Sequence, residues 1–219
     1  MEMYAKPILH NVTPDITLEN LETMMLNHIT YYAFSNMDYL NNNRKLQLLG
    51  LIQNDVDVSY FPTYLFSKIT KDKYGICMDL NYAFSKFLAS QGYTNYLVRT
   101  YKPGSQLEKR RIFHLSIIVI LDNKKYFVDV GYGDVFTRPL LLNDICQVSD
   151  FNPYIKYIYF NKLILKLVDS PVGLETIRDN YNKIASISCR HIPLRTHPFT
   201  RIYKLELSQY VDPTFKAKL

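Results

Sequence analysis

At Gly92 the sequence changes character, and no other feature narrows the possible folds as much. Before it, apolar residues recur at helical spacing. After it come "YLVRTY" at 96–101, "IFHLSIIVIL" at 112–121 and "KYFVDVG" at 125–131. These runs are rich in β-branched and aromatic residues, as strands are. A block of helices followed by a block of strands and then a mixture indicates α+β rather than alternating α/β.

The helical block has four parts. "DITLENLETMMLNHI" places Leu18, Leu21, Met25 and His28 on one side, with Asp15 or Thr17 as its cap. "RKLQLLGLIQ" and "FPTYLFSKIT" are two further short helices. "CMDLNYAFSKFLASQ" carries Leu80, Phe84, Phe87 and Leu88 on one side, and Gly92 ends it. In the strand block, Asp122-Asn123 separates the second and third runs, which predicts a hairpin. "IKYIYF" and "LILKLV" flank Asn161-Lys162 as a second hairpin. "GLETIRDNYNKIASI" reads as a helix and "RIYKLEL" as a late strand.

Composition excludes several classes. The chain has 219 residues, 47% hydrophobic and 21% charged, as globular proteins do. No stretch approaches the roughly 18 apolar residues that span a bilayer. "MEMYAKPILHNVTPD" lacks the apolar core of a signal peptide, so a cytoplasmic location is expected. Cys77, Cys146 and Cys189 are widely spaced, and no Cys/His cluster has zinc spacing, so neither disulfides nor a metal are expected. The net charge is +6, but the basic residues are scattered and lack aromatic interleaving, which argues against nucleic acid. The densest cluster, "EKRR" at 108–111, reads as a solvated loop. A modest positive field also attracts an anionic cofactor.

Three residues are candidates for chemistry. Cys77 falls at a helix start, where unpaired N–H groups and the helix dipole favour a thiolate over a thiol. Such a nucleophile needs a base, and the base an orienting group. His114 interrupts one apolar strand and Asp129 the next. A buried carboxylate without a partner is costly, so two polar insertions in adjacent strands explain each other. If Asp122 pairs with Lys125, residue 118 faces Asp129, and His114 shares its side of the sheet. On that register His114 lies four residues further along, roughly 13 Å at strand rise, and a bulge or strong twist must close the gap.

Together these segments resemble the arylamine N-acetyltransferases. That family carries a motif R-G-G-x-C-x-E-x-N at a helix start; here it reads Lys73-Tyr74-Gly75-Ile76-Cys77-Met78-Asp79-Leu80-Asn81. The family's strand-borne histidine matches His114 in "HLSIIVI", and its D-V/A-G-F/Y-G segment matches "DVGYG", Asp129 to Gly133. Its N-terminal "H…IPFENLD" is echoed by His28 and Phe34-Ser35-Asn36-Met37. The resemblance covers about residues 15 to 142. Arginine and glutamate of the motif are replaced by Lys73 and Asp79, which keeps the signs for an ion pair between them. The first motif glycine is Tyr74, and "THPFT" at 196–200 only loosely echoes a late family motif.

The resemblance implies a helical subdomain over 1–92, an antiparallel barrel-like β subdomain over 93–170 and a shortened α/β lid over 171–219. It implies a cysteine-protease-like triad of Cys77, His114 and Asp129. The implied reaction is ping-pong transfer of acetyl from acetyl-CoA, through a Cys77 thioester, to an arylamine or hydrazine, without a metal, nucleic acid or membrane. The backbone N–H of Cys77 would serve the oxyanion. Gly131, Tyr132 and Gly133 would border the CoA chain, the glycines permitting close approach; a plain turn ending the strand explains the glycines equally well. Three alternatives stay open: a cysteine hydrolase, an amide synthase using a carrier-bound acyl chain, and a non-catalytic homologue.

Overall fold

The computed structural model describes residues 2–35, 60–132, 136–160, 163–186 and 196–197. The expected helix at 44–53 and strand at 201–207 lie outside these residues, as do Gly133, Cys189 and Asn36-Met37.

The described chain runs α1 (Glu2–Ile8), α2 (Leu18–Tyr31), β1 (Ala33–Ser35), α3 (Tyr60–Asp72), β2 (Tyr74–Gly75) and α4 (Cys77–Ser90). It continues with β3 (Thr94–Tyr101), α5 (Gln106–Lys109), β4 (His114–Leu121), β5 (Lys124–Val128), β6 (Leu140–Leu141) and α6 (Leu142–Ile145). Then follow β7 (Cys146–Ser149), β8 (Asn152–Phe160), β9 (Leu163–Val168), α7 (Leu174–Ser186) and β10 (Thr196–His197). The fold is therefore α+β, with the helices of its first part packed beside one large sheet. Among the described residues, no helix is long and apolar enough to cross a membrane.

Local chemistry sets the helix ends. Thr17 caps α2, its hydroxyl accepting from the Asn20 N–H at 3.1 Å. Behind it Leu21, Met25 and His28 are buried as their spacing predicts, while Leu18 remains exposed. Gly92 follows α4 with φ +89°, and the chain closes there as a Schellman motif. Tyr93 N–H reaches the Leu88 carbonyl at 3.0 Å, and Gly92 N–H the Ala89 carbonyl at 3.1 Å. The short α1 was not expected from the sequence. It buries Tyr4 and Ile8, and Tyr4 stacks on Tyr32 at the end of α2.

The sheet is seven-stranded, in the order β6-β5-β4-β3-β9-β8-β7, antiparallel throughout, and curled into a half-barrel. β4 lies between β3 and β5 and is buried from Leu115 to Val119. Helix α4 packs on β3 and β4, so Leu80, Phe84, Phe87 and Leu88 join Ile117, Val119 and Phe127 in the core.

The β4–β5 hairpin corrects the expected register. Leu121 pairs with Lys124, and Ile117 with Val128. Asp122 and Asn123 are both in the turn, with φ +50° and +58°, as a two-residue I′ turn requires. Asp122 thus does not pair with Lys125. Continuing the ladder sets Asp129 beside Ser116, two residues from His114 rather than four. The face was right and the distance too long; no bulge is needed.

Candidate active site

Cys77 is the first residue of α4. The turn before it is held by a three-stranded sheet, in which β1 lies between β10 and β2. Phe34 pairs with Gly75, and the Ala33 N–H reaches the Lys73 carbonyl at 2.9 Å. The N-terminal and cysteine motifs therefore meet as neighbouring strands. Gly75 has to be small: a Cβ there would stand 2.7 Å from the Asp79 Cβ.

Asp79 completes the helix start. Its Oδ2 accepts the Ile76 N–H at 3.0 Å, leaving the adjacent Cys77 N–H free of that cap. The ion pair that the retained signs allow with Lys73 is not formed. Lys68 of α3 makes it instead, its Nζ 3.2 Å from Asp79 Oδ2, with both side chains buried. Lys73 has φ +62°, which turns it to lie over the Tyr31 ring at 4.8 Å and the Tyr32 ring at 5.7 Å. The motif's positive charge has in effect moved to the preceding helix.

His114 and Asp129 meet directly. His114 Nε2 lies 2.5 Å from Asp129 Oδ2. That leaves Nδ1 as the nitrogen for Cys77, whose sulfur is among the causes that raise the imidazole's pKa. Asp129 is fully buried, and the His114 side chain is 17% exposed. Burial disfavours the imidazolium, but the Asp129 carboxylate and the Cys77 sulfur together outweigh it. The His114 pKa rises from 6.5 to about 10.

Asp129 is satisfied on every side. Its Oδ2 also accepts the Ser116 hydroxyl at 2.9 Å. Its Oδ1 accepts Asn81 Nδ2 at 2.8 Å and the Gly131 N–H at 2.9 Å. Asn81 lies one helical turn beyond Cys77, and its Oδ1 accepts the Val130 N–H at 2.9 Å while its Nδ2 reaches the Leu115 carbonyl at 2.7 Å. One amide thus ties α4 to β4 and to the segment after β5. Thr100 closes the group, 3.0 Å from Ser116 Oγ. The sequence reading gave no role to Asn81, Ser116 or Thr100. A buried amide among the apolar residues of α4 was the available signal.

Gly131 has a reason within the protein. A Cβ there would lie 2.6 Å from Cys77 Cα and 2.7 Å from Asn81 Nδ2. The close approach first expected of a CoA chain is made by the start of α4. Gly131→Ala is expected to lower stability by about 1–3 kcal/mol and to part Cys77 from Asp129; thermal melts and Cys77 alkylation rates measure the two effects. Tyr132 sets its ring edge-on to His114, with centroids 4.9 Å apart. Among the described residues, no group of three His, Cys, Asp or Glu is placed to hold a metal ion.

A family model described as N-acetyltransferase matches residues 17–157. Two uncharacterised acetyltransferases of Acanthamoeba polyphaga mimivirus are 34% and 32% identical to this chain. The first match covers 88% of this chain and 95% of the relative, the second 89% and 92%. Solved arylamine N-acetyltransferases share the fold. The Mycobacterium abscessus structure has a TM-score of 0.63 at 16% identity, covering 90% of this chain and 78% of its own. The Salmonella typhimurium structure has 0.60 at 19%, covering 87% and 72%. The Bacillus cereus structure has 0.59 at 16%, covering 91% and 78%, and is described as having a Cys-His-Glu triad. With a family match over residues 17–157, acetyltransferase relatives at 34% and 32% identity, and a fold shared with solved arylamine N-acetyltransferases, the chain belongs to the N-acetyltransferase family.

Proposed function

We propose that this acyltransferase moves an acetyl group from acetyl-CoA to an arylamine or hydrazine through a thioester on Cys77. The observation that supports the reading is the His114–Asp129 pair at 2.5 Å, with Cys77 as the first residue of a helix and its sulfur acting on the His114 imidazole. The Cys77 sulfur attacks the thioester carbonyl, and the tetrahedral oxyanion is met by the backbone N–H of Cys77 at the helix start. The bond to CoA breaks, and His114 gives its proton to the departing thiolate. The amine nitrogen then attacks the acetyl carbon, His114 takes its proton, and the Cys77 thiolate leaves. Asp129 fixes the imidazole and favours its cation.

The electrostatics suit both halves. Before acylation, the Cys77 sulfur is one of the causes that raise the His114 pKa. Acylation removes that negative charge, so the imidazole gives up its proton more readily and becomes the base the second half requires. Tyr132 and Gly133 are our donor-side contacts, and the cytoplasm, which keeps such a thiol reduced, is our proposed location.

The test is incubation with acetyl-CoA alone, followed by mapping of acetyl groups by mass spectrometry. Acetyl-Cys77 is expected, and an added aminosalicylate is expected to discharge it. In His114→Ala, acetylation is expected to slow and to recover partly as pH approaches the ordinary thiol range, about 8.5. No acetyl-Cys77 at millimolar donor in folded protein rules out acetyl-CoA and points to a carrier-bound acyl chain or to a homologue without activity.

A further inference from the structure

Asn180 and Tyr181 are adjacent on α7, both are buried, and the reaction gives neither a task. Asn180 faces Phe113, the residue before β4. The last β3–β4 pair joins Thr100 to His114, so the ladder stops at His114 among the described residues. At Phe113 the Asn180 side chain supplies the backbone partner that the ladder no longer provides. Its Oδ1 accepts the Phe113 N–H at 3.1 Å, and its Nδ2 donates to the Phe113 carbonyl at 2.9 Å. A carboxamide offers a donor and an acceptor side by side, as a neighbouring backbone would. The same Nδ2 lies 2.9 Å from Met78 Sδ. Next to it, the Tyr181 hydroxyl donates to Asp79 Oδ1, on the carboxylate that caps the helix start through its other oxygen.

One turn of α7 therefore grips the residue before His114 and the two residues after Cys77. Asn81 and Asp129 join the same two elements by separate contacts. We propose that Asn180 and Tyr181 are positioning residues, which hold the start of α4 against the start of β4 and so set the approach of His114 to Cys77. The inference rests on reading Cys77 as the nucleophile. A nucleophile and base on different elements need such a brace, because a misplacement of about 1 Å costs on the order of 10²-fold in rate.

The test is iodoacetamide alkylation of Cys77 across pH in wild type, Asn180→Ala and Tyr181→Phe, counted per folded molecule. It requires no acetyl donor. Asn180→Ala is expected to slow alkylation at neutral pH by about tenfold, with recovery as pH approaches about 8.5. Tyr181→Phe keeps the ring and loses only the hydroxyl, so it folds; about a threefold slowing with the same pH dependence is expected. Should Asn180→Ala fail to fold, Tyr181→Phe decides. Variants that melt earlier but keep the wild-type rate and pH profile make α7 a purely structural support and overturn the inference alone. A wild type in which Cys77 is not the fast-labelled cysteine overturns the nucleophile reading and the inference with it.

Discussion

Cys77→Ala is expected to remove acetyl transfer almost entirely, a loss of more than about 10⁴-fold by comparison with nucleophile deletions in other triads. No other described group stands where it could substitute. Cys146 begins β7, away from His114, and burial pushes its thiol pKa up, helped by Asp169 and opposed by Lys156. An Ala at position 77 keeps the helix start, because Asp79 caps through the Ile76 N–H and not through the cysteine side chain. The variant is therefore expected to melt close to wild type while forming no acetyl-enzyme. Equal acetyl incorporation in both proteins, read by intact mass, would place the nucleophile elsewhere and sink the mechanism.

The parts of this site legible in the sequence are those set by short-range periodicity. Helical spacing and Gly92 located α4, and the two-residue period of strands put His114 and Asp129 on one face. The distance between them is not legible, because a ladder that includes Asp122 sets them four residues apart, whereas both Asp122 and Asn123 adopt positive φ in the turn. The error was two residues, an even number, so the face survived it. Contacts distant in the chain were not legible. Nothing local marks Lys68 rather than Lys73 as the partner of Asp79, since the choice depends on how α3 lies against α4. Asn180 and Tyr181 read as ordinary positions in an amphipathic helix, and they meet Met78 and Asp79 across about a hundred residues of chain. Gly131 was legible as a constraint, but its cause was not. The sequence shows that a side chain is missing there, and only the fold shows that the backbone of Cys77 occupies the space.

Asp129→Asn is expected to lower turnover by about 10³–10⁴-fold, near the loss from the same change in a serine triad, while the protein stays folded. An asparagine has the same shape. Its oxygen can still accept from Asn81 and the Gly131 N–H. Its NH₂ then faces His114 Nε2, where the carboxylate accepted. To take a hydrogen bond from that NH₂, Nε2 must be unprotonated, so the neutral ring carries its proton on Nδ1. That nitrogen faces Cys77 and can no longer receive a proton from it. The charge changes in the same direction. Burial is the largest influence on His114 and lowers its pKa; without the carboxylate it is opposed only by Cys77, so the imidazolium is expected to lose its proton at lower pH. Stability follows by linkage. In wild type the folded-state pKa of His114 is above the unfolded value of 6.5. Its contribution is thus fully present below pH 6.5 and lost as pH rises through about 10. Asp129→Asn is expected to flatten that alkaline limb. Denaturant midpoints from neutral to alkaline pH measure it, and the histidine ring protons in NMR report the pKa directly. A folded Asp129→Asn protein with near-normal turnover, or with an unmoved His114 titration, would remove Asp129 from the reaction and leave it a structural carboxylate tying Asn81 to the end of β5.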